Sequence, residues 1–193
     1  MHAAQLVSVL VTSGTWIGFV STKKFYFRYA DQRAPAKTAL LLSGFLCTAG
    51  QIITMCVARA RGEVWLWSGL AGYAGANGLF WWALAAHGKA HPAFAFIRVP
   101  PASLTTAGPY HLVRHPIYSA YLLAWAAGSV IIAQPWLLGT VACMGFIYAY
   151  AAFQEEKSFL GSAFASAYQE YRQRTGMFFP KIAGLVSALV SRS

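Results

Sequence analysis

The sequence predicts an all-α integral membrane protein of five transmembrane helices, the last two a proline-broken hairpin, followed by a cytoplasmic C-terminal helix. Three observations lead there. The chain is 58% hydrophobic and only 10% charged, too little polar side chain to coat a water-soluble surface. Long stretches contain no Asp, Glu, Lys or Arg at all. Basic residues gather in alternate connections between those stretches, the bias that orients spans in a bilayer.

A bilayer core about 30 Å thick needs roughly 20 apolar residues per helix at about 1.5 Å rise. Residues 3–21, 38–58 and 64–86 meet this without a charged side chain. The first is expected to be a retained span, because it has no basic start and runs into Lys23-Lys24 rather than a small-residue cleavage site. The next uncharged run, 117–153, would make a straight helix of roughly 56 Å, nearly twice the core thickness. It must fold back. Gln134-Pro135 supplies the break, since proline lacks an amide hydrogen and clashes with the preceding turn. The resulting spans are about 117–133 and 136–153.

After Phe153 the composition changes, with Glu155, Glu156, Lys157, Glu170, Arg172 and Arg174 interleaved with apolar residues. Residues 154–174 read as one helix leaving the membrane, with Phe159, Leu160, Phe164, Tyr168 and Tyr171 near a single packing stripe. Gly176 and Pro180 end it. No internal repeat or low-complexity linker interrupts the chain, so residues 1–193 form one domain, with the chemistry in about 93–181.

Thirteen of the 15 lysines and arginines lie in the first connection, the third connection and the tail, against only Arg59 and Arg61 elsewhere. That asymmetry puts residues 22–37, 87–116 and 154–193 in the cytoplasm and the N-terminus outside. A net charge of +10 could suggest a nucleic-acid partner, but basic residues confined to loops and unaccompanied by a nucleic-acid motif point to anionic headgroups instead. Membrane lipids are the expected surface and no nucleic acid is. Cys47, Cys56 and Cys143 lie in apolar runs without zinc spacing and read as small buried hydrophobes. Trp65, Trp67, Trp81 and Trp82 bracket one span and suit interfacial belts. Gly72, Gly75 and Gly78 with Ala76 form a small-residue stripe for close helix packing, or for approach of a cofactor. His87 with His91, and His111 with His115, stand four apart but lack a third ligand, so no metal is expected.

Two polar segments remain, joined by the hairpin and therefore brought to one membrane face. In Arg114-His115-Pro116-Ile117-Tyr118 the proline suits a first helical turn. The amides beyond it point outward at the positive end of the helix dipole, where Arg114 could add a bidentate carboxylate clamp. Arg114 and His115 could equally be headgroup anchors. Glu155-Glu156 sits at the membrane exit, where two solvated carboxylates beside anionic lipid repel both each other and the surface. Adjacent helical residues point about 100° apart, so one glutamate can face a ligand while its neighbour packs against Arg or Lys.

The run GPYHLVRHPIY, an apolar hairpin, EE and then AYQEYRQRTGMFFPK resembles the signature of isoprenylcysteine carboxyl methyltransferases and the related phospholipid methyltransferases. The resemblance implies an S-adenosylmethionine-dependent methyltransferase with a lipophilic or prenylated acceptor. It also implies a cofactor surrounded by Ala102, Ser103, Leu104, Thr105, Tyr110, His115, Pro116, Ile117, Tyr118 and Glu155 at the cytoplasmic face. Beside it, the residues themselves suggest Arg114 for the methionine carboxylate, Glu155 or Glu156 for ribose hydroxyls or the amino group, and Tyr110 or Tyr118 faces near the sulfonium. The sequence departs from the family where relatives carry His just before the match to Leu104-Thr105-Thr106, and at Ala151, where an arginine linked to substrate is usual. Arg172 is then the candidate for orienting an anionic acceptor. Glu156, His115 or Tyr168 could take a proton from an amine acceptor. Carboxyl O-methylation is the leading expectation and phosphatidylethanolamine-type N-methylation the alternative. A sterol-reductase-like oxidoreductase would need more spans, and a non-enzymatic scaffold would leave the carboxylate pair unexplained.

Overall fold

A computed structural model describes residues 3–22, 35–58, 62–87 and 103–181. Expectations that rest on Ala102, His91, the basic first connection and residues 182–193 lie outside these. Among the described residues six α-helices follow in order: α1 Ala3–Ser21, α2 Pro35–Val57, α3 Glu63–His87, α4 Pro116–Ile132, α5 Leu138–Leu160 and α6 Ala165–Arg174. Short 3₁₀ turns at Gly108–His111 and Pro135–Leu137 lead into α4 and α5 respectively.

Three of the five expected spans, Ala3–Ser21, Thr38–Val57 and Pro135–Leu160, are long and apolar enough to cross a membrane. The other two depart from that pattern for different reasons. The third, α3, is long enough but carries Glu63, Tyr73, Asn77, several glycines and four tryptophans. The fourth, α4, has only 17 residues and is buried around most of its circumference. A helix enclosed by others satisfies its surface inside the protein, so its length need not match the lipid.

The tightest packing joins α3 to α4. A Cβ on Gly69 would fall 2.2 Å from Ile131 Cγ1 and 2.8 Å from the Ala127 carbonyl, and one on Gly72 would fall 2.9 Å from Ala127 Cβ. These glycines set the helix separation. Ala76 and Ala83 continue the seam alongside Ala120 and Ala124, all fully buried. Of the stripe expected from sequence, Gly72 and Ala76 pack in this way, whereas Gly78 has open space beside it.

Buried polar side chains fasten the bundle across helices. Thr12 donates to the Tyr73 hydroxyl at 2.9 Å, Asn77 to Thr15 at 2.9 Å, and Gln51 to the Trp125 carbonyl at 3.0 Å. The hairpin turns where expected: Ala133 takes a left-handed φ of 50°, and the hydroxyls of Ser129 and Thr140 both donate to the Leu137 carbonyl. Large apolar side chains such as Leu10, Ile17, Phe45, Leu46, Ile53 and Phe146 face outward, as a lipid solvent permits. Trp67 and Trp81 are exposed toward opposite ends of α3, about 21 Å apart along its axis.

Two expectations are corrected here. The last span does not stop at Phe153. Nothing in Gln154-Glu155-Glu156-Lys157 breaks a helix, so α5 continues to Leu160. The chain then turns through Gly161 and Ser162, whose hydroxyl accepts from the Phe164 amide at 3.1 Å. The proposed stripe is therefore split over two helices, and Phe159 stacks on Tyr168 across the turn at 4.8 Å and 10°.

The cysteines are not buried hydrophobes either: Cys56 and Cys143 are exposed and Cys47 half-buried, which costs nothing against lipid.

Candidate active site

The hydrogen-bonding pattern builds the site from two directions. Pro116 stands in the first turn of α4, with His115 as the residue before the helix. The chain beyond α6 runs back beside this entry: the Arg114 amide donates to the Gly176 carbonyl at 2.8 Å, and the His115 amide to Met177 at 3.1 Å. Ser119 adds a bond to the Phe178 carbonyl at 2.8 Å. A Cβ on Gly176 would fall 1.7 Å from the Phe179 carbonyl, so only glycine lets this strap turn.

Within that frame the last turns of α5 bring both glutamates to Arg114, His115 and Tyr118. Arg114 Nε donates to Glu156 Oε1 at 2.8 Å, and Arg114 Nη1 to the Thr175 carbonyl. With side-chain exposures of 7% and 3%, this is a buried ion pair. Arg172 approaches the other oxygen, Nε to Oε2 at 3.4 Å, while remaining half exposed. That contact is a charge pairing and not a directional bond, since Glu156 Oε2 has no hydrogen-bond partner. His115 spans the two carboxylates, with Nδ1 3.4 Å from Glu155 and Nε2 3.4 Å from Glu156. Burial disfavours its charged form, but hydrogen bonds and charge from Glu155 and Glu156 outweigh this and raise its pKa above the ordinary histidine value.

Glu155 differs from its neighbour. Its side chain is 26% exposed, and it accepts a hydrogen bond from the Tyr118 hydroxyl. The Tyr118 ring lies nearly parallel to both His115, at 18°, and Tyr148, at 10°, so its faces serve protein contacts. The division anticipated from helical geometry is realised: Glu156 packs inward on arginine and Glu155 keeps an open side. Arg114, expected as a possible cofactor clamp, is turned inward and committed to Glu156 and to backbone carbonyls.

The remaining candidates surround this cluster. Tyr110 is buried, and its carbonyl accepts from the Tyr171 hydroxyl at 2.6 Å. Its hydroxyl pairs with His87 Nε2 at 2.8 Å, and Thr105 Oγ1 lies 3.3 Å from His87 Nδ1. Ser103 is exposed and Leu104 half-buried, while Ile117 is buried in the α3–α4 core. Tyr168 is buried on α6; burial first, then the Glu156 charge, push its hydroxyl pKa far above the usual tyrosine value. Ala151 is fully buried between α4 and α5 with Tyr118 and Tyr148, a position without room for an arginine.

Sequence reading missed three contributors. The Thr175 carbonyl carries no side-chain signal. Tyr148 was read only as part of an apolar span. His87 was weighed only as a metal ligand, although its position at the end of α3 opposite the GPY turn was the available clue.

A family model described as phospholipid methyltransferase matches residues 64–167, just over half of the chain. The chain is also 37% identical over 82 residues to the cobalt-zinc-cadmium resistance protein CzcN of Cupriavidus metallidurans. That match covers 42% of this chain and 37% of the relative, little more than a third of the relative's length.

Proposed function

The chain belongs to the phospholipid methyltransferase family, and from that premise we propose that it transfers a methyl group from S-adenosylmethionine to the head group of an amphiphile at the cytoplasmic membrane face. The observation that carries the reading is Glu155, a carboxylate open on one side and oriented on the other by Tyr118 and His115. Its free acceptor capacity suits the ribose hydroxyls or ammonium of the cofactor, as does Glu156 Oε2 behind it, which faces the Arg172 charge but accepts no hydrogen bond. The open side of Glu155 also complements a ligand with a cationic centre. The first-turn amides of α4 and the half-exposed Arg172 remain for the cofactor carboxylate or for an anionic acceptor.

The cofactor, when bound, supplies a methyl already activated on sulfonium. What the protein then contributes is alignment and exclusion of water. Helix α6, held over the site by Tyr168 and Tyr171, is the natural cover from the water side. The acceptor tail enters laterally between apolar helices. A carboxyl acceptor of the prenylated-cysteine type needs only orientation. An ethanolamine-type amine must also lose a proton, and the buried Ala151 in place of an arginine weighs toward such a non-anionic acceptor.

Labelled S-adenosylmethionine should bind the purified protein saturably. Transfer to a prenylcysteine analogue or to phosphatidylethanolamine should exceed transfer to a short soluble amine or thiol in the same detergent. No binding would remove the assignment, and a preference for the soluble acceptors would remove lateral entry.

A further inference from the structure

The carboxylate cluster uses Arg114, His115, Tyr118 and both glutamates, yet a second set of polar groups, close enough to feel the Glu155 charge, lies outside that cluster. His87, on the last turn of α3, pairs through Nε2 with the Tyr110 hydroxyl at 2.8 Å and through Nδ1 with Thr105 Oγ1 at 3.3 Å. The imidazole and phenol meet edge to face at 4.9 Å and 80°. Two residues of the connection into α4, Thr105 and Tyr110, thus converge on one histidine at the end of α3. The tautomer with Nδ1–H donating to Thr105 leaves Nε2 as acceptor of the Tyr110 proton, an orienter–base–hydroxyl chain. Tyr110 is fixed from the opposite side by Tyr171, which donates to its carbonyl at 2.6 Å.

We propose that His87 and Tyr110 form a proton-accepting dyad for methyl transfer to an acceptor that carries an ionisable proton, an amine or a thiol. This inference rests on the methyltransferase reading above. The ammonium proton of an amine head group passes to Tyr110 Oη as the Tyr110 proton passes to His87 Nε2, leaving a neutral amine, neutral Tyr110 and imidazolium His87. The C–N bond then forms as the C–S bond breaks, with the electron pair leaving on sulfur and the positive charge moving to the methylated amine. Imidazolium His87 releases its proton to water. The charged and titratable groups that face Tyr110 among the described residues are His87 from α3, Tyr171 from α6 and Glu155 from α5. Burial first, and then the Glu155 charge, disfavour a tyrosinate, so Tyr110 relays a proton and does not store charge.

The test uses the full chain in detergent, with phosphatidylethanolamine as the amine probe and a prenylcysteine analogue as the carboxyl probe. Binding of S-adenosylmethionine and rate against pH are measured for wild type, His87→Gln, Tyr110→Phe and Thr105→Val. In His87→Gln cofactor affinity is expected to stay within about threefold while amine methylation near neutral pH falls about a hundredfold, and Tyr110→Phe should show the same loss of amine methylation at saturating S-adenosylmethionine. Both should recover as the pH rises and the amine deprotonates unaided. Thr105→Val should shift the acid limb by a smaller amount, and in every variant the amine probe should lose far more than the carboxyl probe.

Wild-type rates and pH profiles in both His87→Gln and Tyr110→Phe would overturn the dyad alone, as would loss of cofactor binding in both, which would make the pair part of the cofactor site. Methylation of the carboxyl probe but not the amine by wild type would overturn it as well. Failure of wild type to bind S-adenosylmethionine would overturn the methyltransferase reading and the dyad with it.

Discussion

Arg114→Ala is expected to be the most damaging single substitution at the candidate site. It removes the guanidinium that pairs with a carboxylate only 3% exposed, and it also strips a donor from the Thr175 and Arg172 carbonyls. Glu156 keeps only the looser contacts with His115 and half-exposed Arg172, each at 3.4 Å, and breaking one side of a buried pair costs about 3–5 kcal/mol. In a chain of this size that corresponds to a fall in melting temperature of about 10 °C. The strap should loosen at its Thr175 end, where the side-chain donor is lost, while the amides of positions 114 and 115 keep their bonds to Gly176 and Met177.

The informative comparison is Arg114→Met with Glu156→Gln. Removing both charges spares the cost of an orphaned carboxylate, so the double variant should melt above Arg114→Ala. Thermal unfolding in one detergent measures both. A single variant melting within 2 °C of wild type, an interval set by roughly half a kcal/mol, would show that Arg114 is not what holds Glu156.

Much of this arrangement was legible before any coordinates. Proline at position 116 and the Gln134-Pro135 break are local backbone constraints, so the helix entry and hairpin turn could be placed from those residues alone. The convergence of the RHPIY and EE segments followed from the length of the run between them. The exit of α5 was misplaced because a fall in hydropathy marks a change of solvent, whereas a helix ends only where backbone chemistry ends it, at Gly161-Ser162. The same confusion made one stripe of Phe159 and Tyr168, which belong to two helices.

The partners of Arg114 were beyond sequence reasoning for another reason. Its clamp was assigned outward from helix-end electrostatics, but the carbonyl of Thr175 competes for the same guanidinium, and a backbone acceptor 61 residues away has no signature in composition. Helical geometry did separate the two glutamates, without saying which would be the inner one. The register of α5 against α4 fixed that, by placing position 156 toward the strap.

Glu155→Gln should separate ligand binding from folding. The substitution keeps the shape of the side chain, and its amide oxygen can still accept from Tyr118, so the internal bond that orients position 155 survives. The side chain is already a quarter exposed, which makes the change in burial cost small, and the melting temperature should move by no more than about 2 °C. What disappears is a charged acceptor facing outward. A hydrogen bond to a charged group contributes about 1.5–3 kcal/mol, so the dissociation constant for S-adenosylmethionine should rise between about tenfold and a hundredfold.

Glu156→Gln should behave in the opposite way, melting markedly lower because it leaves buried Arg114 without its counter-charge. Tyr118→Phe stands between them: it frees Glu155 to rotate, so affinity should fall by less than in Glu155→Gln with the fold kept. Calorimetric titration of the three variants, each checked by its melting curve, orders these effects. Wild-type affinity and turnover in Glu155→Gln would place the cofactor elsewhere along the α3–α4 end of the bundle and leave the carboxylate pair a purely structural clasp.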